Sequence, residues 1–170
     1  MMSKTQQLSN NRIAHYFEQG TGEPLVLIHG VGMQAAAWYP QIEFFSKHYR
    51  VISVDMPGHG QSTKLADEAK LQDFVDWTIE FITALNIGAV NLAGHSMGSL
   101  ITTGVSVTRP DLVKRMAVLN GVYKRTPQAR NAVIKRAEEL KTGHIDVETP
   151  LQRWFGDSEI ERIASDHVKS

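Results

Sequence analysis

Ser96 stands at the centre of Gly94-His95-Ser96-Met97-Gly98. The apolar run Ala89-Val90-Asn91-Leu92-Ala93 precedes it, and Leu100-Ile101-Thr102-Thr103 follows. A buried strand, a glycine-flanked serine and a helix, in that order, describe a nucleophile elbow. The turn in such an elbow strains the serine backbone. Glycines two residues before and two after are needed, because a Cβ at either place would collide with the neighbouring strand or helix. The chemistry this spacing allows is nucleophilic. Ser96 Oγ attacks an acyl carbon, and the N–H of Met97, at the start of the helix, stabilises the negative oxygen that results.

Two further segments point to the same edge of a sheet. In Pro24-Leu25-Val26-Leu27-Ile28-His29-Gly30-Val31-Gly32-Met33, a short apolar run opens into a glycine-containing loop. Its N–H groups can face a ligand, so Val31 N–H is the expected oxyanion partner of Met97 N–H. His29 reads better as a buried, hydrogen-bonded organiser of that loop than as a general base. In Val51-Ile52-Ser53-Val54-Asp55-Met56-Pro57-Gly58-His59-Gly60-Gln61-Ser62, another strand runs into a Pro/Gly turn. Asp55, Gly58, His59, Gly60 and Ser62 are expected to fix that turn. A metal site on His59 and Asp55 is disfavoured, since no third ligand is near in sequence. His95 is expected to point along the elbow, away from Ser96, in a structural role.

Taken together, the three segments resemble the α/β-hydrolase family in order, spacing and turn chemistry, from about Arg12 to Asn120. Within it, His29-Gly30-Val31-Gly32-Met33 followed by Trp38 is similar to single-domain esterases and enol-lactonases. Thr149-Pro150-Leu151-Gln152-Arg153-Trp154-Phe155 resembles the start of an enol-lactonase cap. The resemblance implies a doubly wound, mostly parallel sheet, cut after its sixth strand, with a core over 1–121 and the opening of a helical cap over 122–170. It also implies a serine hydrolase that needs no cofactor and no metal. His29, Gly30, Trp38, Trp154 and Phe155 are the expected pocket residues. Trp38 has two open readings, lining the pocket mouth or covering the core.

Bulk properties agree with one globular unit of this kind. The chain has 170 residues, 42% of them hydrophobic, and 13 glycines. Eighteen basic residues balance eighteen acidic ones, so nothing suggests nucleic acid or an anionic membrane as partner. There is no cysteine, which excludes disulfides, thiolate metal sites and a cysteine nucleophile. Met1 to Asn11 is polar, without the apolar stretch of a secretory signal, and no run approaches bilayer length. The simplest reading is a cytoplasmic soluble protein.

Strands are expected at Thr5–Leu8, Arg12–Glu18, Leu25–His29, Arg50–Asp55, Ala89–Ala93 and Arg115–Asn120. The first two pair through Ser9-Asn10-Asn11, with Ile13, His15 and Phe17 on one side. Leu71, Val75, Thr78, Ile79, Ile82 and Leu85 recur at helical spacing. After Asn120 the punctuation predicts helices starting at Thr126-Pro127, at Thr149-Pro150 and at Ser158, the last with a capping box. Ala129, Val133, Ala137 and Leu140 share a face of the first, and Lys135 to Lys141 reads as a solvated surface.

A serine hydroxyl needs a base, and the base needs an acid to orient it. In the resembled enzymes these follow two later strands, beyond the cap. The downstream residues here are His144, His167, Asp111, Asp146, Asp157 and Asp166, and none falls at a family position. Some relatives place the acid directly after the sixth strand, where this chain has Asn120. The expected function is a serine hydrolase scaffold for acyl transfer from a small ester, lactone or amide, with catalytic acid and histidine missing from this chain. The alternative is a non-catalytic remnant or ligand-binding module. A sheet ending at its sixth strand would also expose an edge, so self-association is expected.

Overall fold

Short apolar runs form the parallel strands, a polar segment forms the N-terminal edge strand, and the turns between them set the order. In the computed structural model, which describes residues 1–141, the strands are β1 (Met2–Gln7), β2 (Ile13–Gln19), β3 (Glu23–Ile28), β4 (Tyr49–Val54), β5 (Val90–His95) and β6 (Val113–Leu119). They lie in one sheet in the order β1-β2-β4-β3-β5-β6. β1 and β2 are antiparallel, with Thr5 opposite His15. Asn10 and Asn11 take positive φ in their connection, which asparagine tolerates better than most residues. β2 joins β4 antiparallel, while β4, β3, β5 and β6 run parallel. All four parallel strands therefore end at one edge, where ligands bind in such sheets.

Helices cover both faces. A 3-10 turn (Ala35–Trp38) and α1 (Tyr39–Phe45) connect β3 to β4. α2 (Leu71–Ala84) connects β4 to β5, and α3 (Met97–Thr108) connects β5 to β6. Strand side chains alternate between faces. Val26, Ile28, Ile52, Val54 and Leu92 pack with Val75, Trp77, Phe81 and Ile82 of α2 and Ile101 and Val105 of α3. Leu27, Val51 and Ala93 pack on the other face with Ile42 of α1 and the half-buried Trp38 and Phe45. This is the doubly wound, mostly parallel sheet the sequence pattern predicts.

β2 is the strand expected over Arg12–Glu18, and Ile13, His15 and Phe17 share one of its sides. Ile13 is exposed, and the side chains that enter the core are Ala14 and Tyr16. Both faces of β2 are covered, so periodicity alone could not choose the inner one. Glu18 shares the register of Ala14 and Tyr16 and is buried. Burial pushes its carboxyl up, but Arg50 and Lys4, each 3.1 Å away, outweigh that and hold it below the usual carboxylate range.

The chain divides into two compact units, Met1–Gly121 and Val122–Ser170. In the second, α4 (Pro127–Lys141) starts where Thr126 caps it. Thr126 Oγ1 accepts the Ala129 N–H at 3.2 Å. The helices expected at Thr149-Pro150 and at Ser158 lie outside the described residues. So do Trp154, Phe155, His144, His167, Asp146, Asp157 and Asp166. Among the described residues no helix is long and apolar enough to cross a membrane.

Candidate active site

The last residues of β5 run straight into α3 with Ser96 between them. Ser96 has φ 54° and ψ −114°, a conformation that strains any side-chain-bearing residue. Its flanks explain how the strain is held. A Cβ on Gly94 would strike the Gly98 carbonyl and Thr102 Oγ1. A Cβ on Gly98 would strike the carbonyls of Ile28 and His29, at the end of β3. The first turn of α3 thus lies directly on the neighbouring strand. Ser96 N–H donates to Leu119 O of β6 at 3.0 Å, and its carbonyl accepts from Ser99 N–H (3.0 Å) and Ser99 Oγ–H (2.5 Å). Ser96 Oγ itself has no hydrogen-bond partner among the described residues. Met97 N–H, at the first helical position, has no partner within the helix.

The loop after β3 passes beside it. A Cβ on Gly30 would come 3.2 Å from Ser96 Cβ and 3.1 Å from His95 Nδ1. Gly30 to Met33 form a tight turn closed by Met33 N–H to Gly30 O at 3.2 Å, with Gly32 at φ 78°. Val31 sits at its tip, 52% exposed, and its N–H has no partner among the described residues.

Three side chains hold this loop, one of them its own His29. His29 is buried; its Nε2 accepts the Met56 N–H at 2.9 Å and its Nδ1–H donates to Gly30 O at 2.7 Å. Accepting on one nitrogen and donating from the other requires the neutral ring. Burial, the largest influence, together with His59 nearby, lowers its pKa to about 4 against the opposing effects of the Gly30 bond and Asp55. A committed neutral ring of this kind organises the loop and is not free to act as a base. His59 Nε2 accepts the Gly32 N–H at 3.3 Å, and its Nδ1–H donates to Pro57 O at 3.1 Å. Asp55 Oδ1 accepts the Ala35 N–H at 2.7 Å, where the loop enters the 3-10 turn.

Asp55 does more than fix its own turn. Its Oδ2 also accepts Gln61 N–H (3.1 Å) and His15 Nδ1–H (2.7 Å), while its carbonyl accepts the Ser62 hydroxyl at 2.7 Å. Ser62 Oγ in turn takes the His15 N–H at 2.9 Å. His15 Nε2 meets Ser3 Oγ at 2.8 Å. Ser3 and His15 are missing from any sequence-based list of site residues. The available signal was a lone histidine in an otherwise apolar stretch of β2 and an aspartate just past the end of β4. Nothing local says that they meet.

The other predicted residues find places of their own. Trp38 packs against the core, with its Nε1 buried and unpartnered among the described residues. His95 is half-buried, and burial lowers its pKa. Asp111 precedes β6 at the sheet end opposite Ser96 and is paired to Arg109 at 2.7 and 2.8 Å.

A family described as the alpha/beta hydrolase fold matches residues 23–141. The chain belongs to the alpha/beta hydrolase fold family. Among relatives of this alpha/beta hydrolase, "(E)-2-((N-methylformamido)methylene)succinate hydrolase" of Acinetobacter baylyi is 82% identical over 169 residues. Those residues are 99% of this chain and 64% of that protein, so the chain spans less than two-thirds of its relative's length. Two crystal structures share the fold at low identity. An E-2-(acetamidomethylene)succinate hydrolase superposes with a TM-score of 0.80 at 22% identity, covering 98% of this chain and 63% of that one. The enol-lactonase of Burkholderia xenovorans LB400 superposes at 0.79 with 24% identity, covering 98% and 66%.

Proposed function

We propose that Ser96 is the nucleophile of a serine hydrolase whose oxyanion site is formed by the N–H groups of Val31 and Met97. The observation that carries this reading is the strained Ser96 backbone between Gly94 and Gly98, with Gly30 of the neighbouring loop packed against it. Among the described residues the Ser96 hydroxyl and the Val31 N–H have no hydrogen-bond partner, and the Met97 N–H at the start of α3 has none within the helix. Ser96 Oγ would attack the acyl carbon and the carbonyl electrons would move onto oxygen, held by the two donors. Collapse would expel the leaving group and leave an ester on Ser96, which water then cleaves.

The base that takes the Ser96 proton is not His29, His59 or His15, whose ring nitrogens are committed elsewhere. We place acid and base outside the described residues and, given the greater length of the relative, beyond residue 170. The substrate class follows from that relative's name. It joins a succinate to an N-methyl-formamide, so the bond attacked is the amide of a small, N-acylated unsaturated dicarboxylate. No cofactor enters such a scheme, because an acyl group passes from nitrogen to oxygen to water without redox chemistry.

The test uses the protein at the full length its gene encodes, with (E)-2-((N-methylformamido)methylene)succinate as substrate and formate release as readout. Hydrolysis is expected, and Ser96→Ala should lower kcat by roughly 10⁴ or more. A fluorophosphonate should label Ser96 in the same protein. Hydrolysis that survives Ser96→Ala would overturn the reading. An inert protein that still binds the substrate would favour a ligand-binding module instead.

A further inference from the structure

The loop that carries Val31 is fixed at its near end by His29, at its tip by His59 and at its exit by Asp55. Asp55 is the member whose own position is most heavily determined. Its two oxygens accept three hydrogen bonds, from Ala35 N–H, Gln61 N–H and His15 Nδ1–H. Asp55 and His15 are both nearly completely buried, with side chains 3% and 2% exposed. Ser3, exposed on the edge strand, reaches the far nitrogen of His15. With the Ser3 hydroxyl donating to Nε2, the ring must carry its proton on Nδ1, which is the proton Asp55 accepts.

We propose that Ser3, His15 and Asp55 form a positioning relay for the oxyanion loop. The relay runs from the edge strand through β2 to the end of β4 and delivers one carboxylate oxygen to the Ala35 N–H. This rests on the reading of Val31 as an oxyanion donor. Asp55 touches no reacting atom. It acts by holding the exit of a loop whose tip, four residues earlier, must point its N–H at one spot. Serine, histidine and aspartate stand here in the hydrogen-bond order of a catalytic triad. Here the carboxylate's other oxygen ties that chain of bonds to the loop backbone at Ala35. Gly60 shows how closely the carboxylate is seated, since a Cβ there would overlap it.

A small error in oxyanion geometry costs turnover more than binding. In the full-length protein, Asp55→Asn is expected to lower kcat about 10- to 100-fold while KM changes by less than about threefold. Asparagine keeps the shape but has one acceptor where Asp55 uses two. Ser3→Ala sits on an exposed edge and leaves the core untouched. It should lower kcat by about two- to fivefold, in line with the loss of one neutral hydrogen bond. His15→Phe should resemble Asp55→Asn, and His15→Gln, which restores a donor to Asp55, should recover part of the loss. Each rate is normalised to sites titrated by a fluorophosphonate, so that unfolded protein does not count. A fall in melting temperature with kcat per titrated site unchanged in Asp55→Asn and Ser3→Ala would overturn the proposal, leaving the relay purely structural. Phosphonylation of Ser3 would overturn it differently, by making that serine a nucleophile. If Ser96→Ala remains active, the nucleophile reading fails instead, and the two failures are separable.

Discussion

Two turns meet at the carboxyl edge of the sheet, and they are held by opposite means. The elbow at Ser96 is fixed by exclusion. Gly94 and Gly98 let backbone approach backbone so closely that no side chain fits, and the strain at Ser96 has nowhere to relax. The loop from His29 to Ala35 is fixed by attachment. Three side chains, His29 at its start, Asp55 just past β4 and His59 in the turn that follows, grip its backbone groups, and space around Gly32 is open. Exclusion is local and unforgiving. Attachment is distributed, adjustable and sensitive to the charge state of the groups that attach.

Replacing one elbow glycine should break the comparison most severely. In Gly98→Ala the new methyl would meet the carbonyls of Ile28 and His29, at the end of a central strand, which cannot step aside. The expected loss is at least about 3 kcal/mol, the upper end for overpacking. Urea unfolding should show a lowered midpoint, or the protein should fail to fold. A midpoint within error of the wild type would mean that α3 and β3 are less tightly apposed than the structure shows.

This contrast also explains what the sequence could disclose. The elbow is written in five consecutive residues, so the sequence alone marks Ser96, Met97 and the glycines. The strands of the parallel sheet were equally visible, because their apolar runs are short, β-branched and bounded by turns. The attachments were not visible. His15 and Asp55 are forty residues apart, and only the pairing of β2 with β4 brings them together. Which side of β2 meets the main core was not visible either, since a strand covered on both faces gives no alternation to read. Trp38 could not be assigned from its neighbours either. Whether it meets core or pocket depends on how α1 lies on the sheet.

The attached loop should respond to acid where the elbow does not. Unfolded, His29 protonates near 6.5; folded, near 4. Between those values the unfolded chain binds the extra proton, so stability rises with pH there. The contribution is fully present above pH 6.5, declines as pH falls toward 4, and is flat below. Its size is about 3 kcal/mol for a shift of this extent. Unfolding free energies measured from pH 7.5 to 4 should show this slope in the wild type. It should be missing in His29→Gln, which can still accept one bond and donate another without gaining charge. Equal slopes in the two proteins would show that His29 is not the group responsible.

The smallest effect is the most discriminating, because it applies the elbow's substitution to the loop. Gly32 has φ 78°, yet a Cβ on it would meet nothing within 4 Å. In Gly32→Ala there is no collision to pay for, only the cost of a left-handed backbone for an L-residue, about 1 kcal/mol. The N–H that His59 accepts is retained, and so is the turn bond from Met33 to Gly30. Stability should therefore fall by about 1 kcal/mol, a third or less of the loss in Gly98→Ala. In the full-length protein kcat should fall by no more than a few-fold, provided the attachments and not glycine's freedom set the direction of Val31 N–H. A loss of turnover as large as that of Asp55→Asn would reverse this view. The tip of the loop would then be held by its own backbone conformation, as the elbow is, and the side chains that grip it would be secondary.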